Sequence, residues 1–225
     1  AMTPIEREAF EGELRARFDA GDLAGAAAAI VRGYGPELYR FLVAMTRDPD
    51  GADDVFAGTC ERVWRGLPQF RWDGACRAWC YAIARHEFLH WTERRDRQRR
   101  QVELSDAPLS RVVAEVRSTT AAHLRTDVKD GFAALRATLA PEDQLLLQLR
   151  VDADLPWRDL ARALADDDRE PTTNQVAALR KRYERLKREL QALARARGLA
   201  PSPRPPRPRA PRPGRAHDRR RARLQ

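Results

Sequence analysis

Nothing in this 225-residue sequence is apolar for long enough to cross a bilayer: the longest candidate, the Ala-rich run 23–31, falls well short of the ~20 residues a spanning helix needs. The N-terminus also lacks the basic-then-apolar pattern of a secretory signal, so a cytoplasmic chain without membrane insertion is expected. Cysteine is scarce and odd in number (Cys60, Cys76, Cys80), which suits core thiols in a reducing compartment better than a disulfide framework. Lysine occurs only at 129, 181 and 187, so 39 of the 42 cations are Arg. A GC-rich genome and selection for bidentate phosphate binding both produce that skew, and composition does not separate them. The sequence has no GxxxxGK[ST] loop, no GxGxxG turn after a strand and no GxSxG elbow. No catalytic constellation and no cofactor is expected.

Cys76, Cys80, His86 and His90 invite a metal reading that helix geometry undermines. At 100° and ~1.5 Å per residue, His86 lies about 120° around and about 9 Å along from Cys80, and Cys76 is about 21 Å from His90. One straight helix cannot bring all four to one tetrahedral ion, so no metal site is expected.

What is present is charge, unevenly placed. The net charge is +9, but residues 201–225 hold nine Arg against one acid, leaving the first 200 residues at +1. Seven of the 15 prolines also fall there, with Leu224 the one large aliphatic, so the tail 198–225 is expected to be disordered and to add nonspecific electrostatic affinity for nucleic acid.

The body reads as all-α, with no convincing period-2 run. Ile5 to Phe18 predicts a helix. Asp22 caps a second that runs to Tyr34, and Gly35-Pro36 is expected to stop it and start a third. Asp48 to Gly51 reads as a turn, and Ala52 to Leu67 as a helix. Residues 68–74 read as a loop with exposed Phe70 and Trp72, and Ala75 opens a long helix that runs into Arg94 to Arg100. Irregular residues 101–127 suggest a linker. The pattern resumes at Val128, Phe132, Leu135 and Leu139, then Pro141 and Pro156 each open short helices, and Thr172 or Thr173 caps a final one to about Arg197. The expected organisation is an N-terminal helix (1–20), a helical domain (21–100), the linker, a second helical domain (128–197) and the tail.

Two short helices before a long basic one outline a helix-turn-helix. Thr172, Thr173, Asn174 and Gln175 sit where base-edge readers belong, and Arg180, Lys181, Arg182 and Arg185 follow where base edges and phosphates are reached. The stretch 166–172 is longer than the usual turn. The first domain instead interleaves aromatics with Arg around one loop and helix: Arg71, Trp72, Trp79, Arg85 and His86. Such faces suit unpaired bases better than a closed duplex. For Trp79 a core position is the competing reading.

Together the two halves resemble the sigma70 family of bacterial transcription factors, in its extracytoplasmic function (ECF) type. The segments 34–42, 52–56 and 63–70 resemble regions 2.1 and 2.2, residues 78–86 (Ala-Trp-Cys-Tyr-Ala-Ile-Ala-Arg-His) region 2.3, and 139–142, 157–161 and 179–187 region 4. The resemblance implies a non-enzymatic protein that binds core RNA polymerase, directs it to promoter DNA and helps melt the minus 10 element. By that analogy Asp53, Asp54, Val55 and Ala57 dock on the clamp coiled coil of the largest subunit, the loop and helix bearing Arg71 to His86 capture minus 10 bases, and the helix from Thr173 reads the minus 35 element. An anti-sigma factor is a further implied partner. Family members commonly have Gln at Ala57, Asn at His86 and Asp at His90. The alternative is a helix-turn-helix regulator that binds duplex DNA without polymerase.

Overall fold

The computed structural model describes residues 2–94, 136, 138–165 and 169–197, and these are helical with no strand among them. The expected linker at 101–127, the apolar positions Val128, Phe132 and Leu135, and the tail 198–225 lie outside the described residues. Seven helices follow in order: α1 (Pro4–Asp19), α2 (Leu23–Thr46), α3 (Pro49–Gly66), α4 (Cys76–Arg94), α5 (Pro141–Leu147), α6 (Trp157–Leu164) and α7 (Thr173–Ala196).

Helix α1 starts in a capping box, in which Thr3 and Glu6 satisfy each other's backbone N–H groups. Gly21, at φ 77°, turns the chain toward α2, and Asp22 caps it through the Gly25 N–H at 2.8 Å. The expected break at Gly35-Pro36 does not occur: α2 runs through Pro36 for 24 residues. A mid-helix proline forfeits one ladder hydrogen bond, at a cost of ~3 kcal/mol. Here both flanks are buried, with Tyr34 and Leu38 on opposite sides of the proline, and that apolar burial offsets the defect. The expected turn at 48–51 is likewise the first turn of α3, with Pro49 pre-set for the helix start.

The first four helices enclose one core built from Leu14, Ile30, Leu42, Phe56, Cys60 and Tyr81, among others. Helices α3 and α4 approach closely because α3 presents glycine to them. A Cβ on Gly51 would overlap the Trp91 ring, and one on Gly58 would meet Glu87 at 2.8 Å. Arg62 pairs with Glu87 across the same seam.

Leu145, Leu146, Leu149, Leu155 and Leu160 carry the same core on into a second unit, α5 to α7, where Leu186 of α7 closes it. A π-helical turn at Gln148–Asp152 links α5 to the α6 approach. The two units touch, with α6 packed against α4. That contact bears directly on the surfaces the sequence nominated.

Candidate nucleic-acid interface

Helix α4 begins after Gly74-Ala75, and alanine has no side chain able to cap it, so its first N–H groups need partners from elsewhere. Glu11 of α1 supplies them: its two carboxylate oxygens accept from the Cys76 N–H at 2.9 Å and the Arg77 N–H at 3.0 Å. The Tyr34 hydroxyl donates to the same carboxylate at 2.7 Å. An anion at a helix N-terminus also meets the positive end of the helix dipole. Beside it, a hydrogen bond with Cys80 together with burial pushes the Cys76 thiol up, so Cys76 remains a neutral core group. Among the described residues no group of His, Cys, Asp and Glu could hold a metal ion.

The loop before α4 is not the exposed pair of aromatics that the sequence suggested. Phe70 and Trp72 are half-buried, because α1 reaches over them. Trp72 sits edge-on to Phe18 at 5.6 Å and beside Phe70 at 5.0 Å, with the Arg15 guanidinium 5.4 Å from its ring. Its backbone is left-handed (φ 56°), a conformation bulky residues avoid unless packing holds them there. Phe70 in turn stacks on Trp79 at 4.7 Å. Trp79 is thus half-buried, part of an aromatic cluster rather than of the deep core. Arg71, in the middle of the cluster, is exposed.

Arg77, which the sequence interleaves with the same aromatics, is the most constrained cation of α4. It is 4% exposed, makes a two-pronged pair with Glu37 at 2.6 and 2.9 Å, and donates to the Ala153 carbonyl of the second unit at 2.5 Å. Arg85 and His86 are half-buried on the same helix, and Arg85 donates to the Ala165 carbonyl at 3.3 Å. From the other side, Arg162 of α6 donates to the Asp73 carbonyl at 2.8 Å and pairs with Glu170. Its guanidinium occupies the space that a Cβ on Gly74 would take, so the contact depends on glycine there. The α4 region nominated for unpaired bases is therefore partly covered by α6.

At the start of α7, Thr172 caps the helix and Gln175 closes the capping box, accepting from the Thr172 N–H at 2.7 Å. Gln175 was nominated as a base reader, and its carbonyl oxygen is already engaged in that cap. Arg182 pairs with Asp143 of α5 at 2.7 Å, which ties α7 to α5. Arg180 and Arg150 both lie against the Trp157 ring, at 5.6 and 4.9 Å, while Tyr183 meets that ring edge-on. Thr173, Asn174, Lys181 and Arg185 are exposed.

Of the residues nominated for polymerase docking, Val55 and Ala57 are buried, at 2% and 6% exposure, and belong to the core rather than to a surface. Asp53 and Asp54 are half-buried, and Asp53 accepts from the Tyr39 hydroxyl at 2.7 Å.

Residues 30–100 match the family model described as Sigma-70 region 2. The RNA polymerase sigma factor YlaC of Bacillus subtilis (strain 168) is 32% identical over 65 residues, which are 29% of this chain and 38% of that protein. The chain thus spans about two fifths of the length of the curated relative it matches. No solved structure gives a significant match.

Proposed function

We propose that this chain, whose residues 30–100 match Sigma-70 region 2, is an ECF-type sigma factor of the sigma-70 family that binds core RNA polymerase and directs it to promoter DNA. In this reading α2 to α4 form the polymerase- and minus 10-binding domain, and α5 to α7 form a helix-turn-helix domain for the minus 35 element. The observation that carries the reading is the coincidence of the region 2 match with the loop and helix start where exposed Arg71 sits among Phe70, Trp72 and Trp79. An aromatic cluster edged by guanidinium groups offers stacking and charge to bases that have left the duplex. The proposed docking surface on polymerase uses Asp53 and Asp54, with Val55 and Ala57 shaping the helix beneath them.

Core polymerase mixed with the purified chain is expected to retain it in a pull-down and to start transcripts at a defined site. Absence of core binding overturns the reading. A second reading, a regulator acting on duplex DNA without polymerase, is favoured by exposed Thr173, Asn174, Lys181 and Arg185 along the first half of one helix. Tight, sequence-specific duplex binding by the isolated chain would select it.

A further inference from the structure

Helix α1 ends before the region 2 match begins at residue 30, yet it touches both segments that the proposed function assigns to unpaired bases. Through Glu11 it holds the first turn of α4, and through Phe18 and Arg15 it covers Trp72. Resting on that reading, we propose that Glu11 is a positioning residue for base capture: it fixes the pose of the α4 start and of the loop at 70–75, and so the site that receives the unpaired strand.

Three features support this. The cap is supplied across 65 residues of sequence although a local Ser, Thr or Asp at position 75 would cap the helix more simply, and the distant cap makes the pose of α4 depend on α1. Both carboxylate oxygens are used, so the carboxyl group cannot swing without losing a bond. Phe10 meets Tyr34 edge-on at 5.2 Å and Tyr34 bonds Glu11, which braces the carboxylate from behind. With Glu11 removed, the N–H groups of Cys76 and Arg77 lose their partners at a part-buried site. The first turn of α4 then frays, and Trp79, one turn on, no longer fixes Phe70 in its stack.

The test uses holoenzyme reconstituted from core polymerase and full-length chain. Its probe is the single-stranded non-template minus 10 oligonucleotide of a promoter selected by the wild-type holoenzyme. Glu11→Ala is expected to weaken oligonucleotide binding on the order of tenfold or more while core affinity and duplex minus 35 binding stay at wild-type values. Glu11→Gln keeps one acceptor oxygen but places an amide donor against a backbone donor, so an intermediate loss is expected. It also keeps the test alive should the alanine variant fold poorly. Amide exchange at Cys76 and Arg77 should quicken in both. Unchanged oligonucleotide binding overturns the inference, and so does an equal loss of all three affinities, which would mean a merely structural residue. If the wild-type chain itself fails to bind core, the sigma-factor reading falls and this inference falls with it.

Discussion

The Tyr34 hydroxyl and the Glu11 carboxylate meet at 2.7 Å across the seam between α1 and α2. Burial, reinforced by the Glu11 charge, holds the Tyr34 phenol proton well above its ordinary range. Tyr34→Phe keeps the ring packing with Phe10 but removes a hydrogen bond to a charged acceptor. A loss of about 1–2 kcal/mol is expected from denaturant unfolding of the full chain, because Glu11 retains its two backbone donors.

Arg77 and Glu37 are expected to behave as a unit. Arg77→Met strands a carboxylate that is only 19% exposed, and a destabilisation of about 3 kcal/mol or more should follow. Pairing it with Glu37→Leu should recover much of that loss. Strict additivity of the two single variants, measured as a double-mutant cycle, would show that the pair is not coupled.

Gly74→Ala tests the contact between the units. The new methyl group displaces the far end of the flexible Arg162 side chain, so α6 should loosen from the loop while the buried core stays intact. Spin labels at exposed Arg71 and Arg158, introduced through Arg71→Cys and Arg158→Cys, should report a broader and longer distance distribution in the glycine variant. An unchanged distribution would mean that the Arg162 bond to Asp73 is incidental.

Asp159, on the same face of α6, has its carboxyl raised by burial, with Arg162 opposing and Glu11 adding to the rise. For an acid whose folded value lies above the unfolded one, the native state binds the extra proton, so stability falls as pH rises through and beyond the ordinary value of 3.8. Asp159→Asn should therefore raise the melting temperature at pH 7, with the gain shrinking as pH drops toward 4. A gain that grows on acidification would contradict the sign.

Two neighbours at the start of α7 should separate stability from recognition. Thr172→Ala removes a cap and should cost about 1 kcal/mol in thermal unfolding. Asn174→Ala should leave stability within roughly 0.5 kcal/mol. On the proposed function, it should alter minus 35 sequence preference in a holoenzyme selection experiment.

Helices α3 and α4 were legible because 3.6-residue periodicity records which side of a helix is buried, and Val55, Phe56, Val63 and Phe88, at helical spacing, are core residues. The continuity of α2 was not, since a Gly-Pro pair reads as a stop unless burial on both flanks is known. The cap at Gln175 was legible too: Thr172-Thr173-Asn174-Gln175 is the Thr-x-x-Gln spacing of a capping box. Arg182 and Asp143 illustrate a different limit. Nothing within a helical window tells a cation bound for phosphate from one bound for a carboxylate 39 residues away. Glu11 lies beyond local reasoning for the same reason, its targets being 65 and 66 residues downstream.

The bridge from α6 to α4 finally sets a question of reach. Promoter elements named for positions 35 and 10 are about 25 base pairs apart, roughly 85 Å of B-form DNA at ~3.4 Å per pair. A folded body of this size has a radius of gyration of roughly 15–17 Å. On the proposed function, while Arg77 grips the Ala153 carbonyl and Arg162 grips that of Asp73, the described residues are too short a ruler to touch both marks. Reading an entire promoter would require the ruler to unfold along its hinge, and those guanidinium bonds are where the hinge would first give.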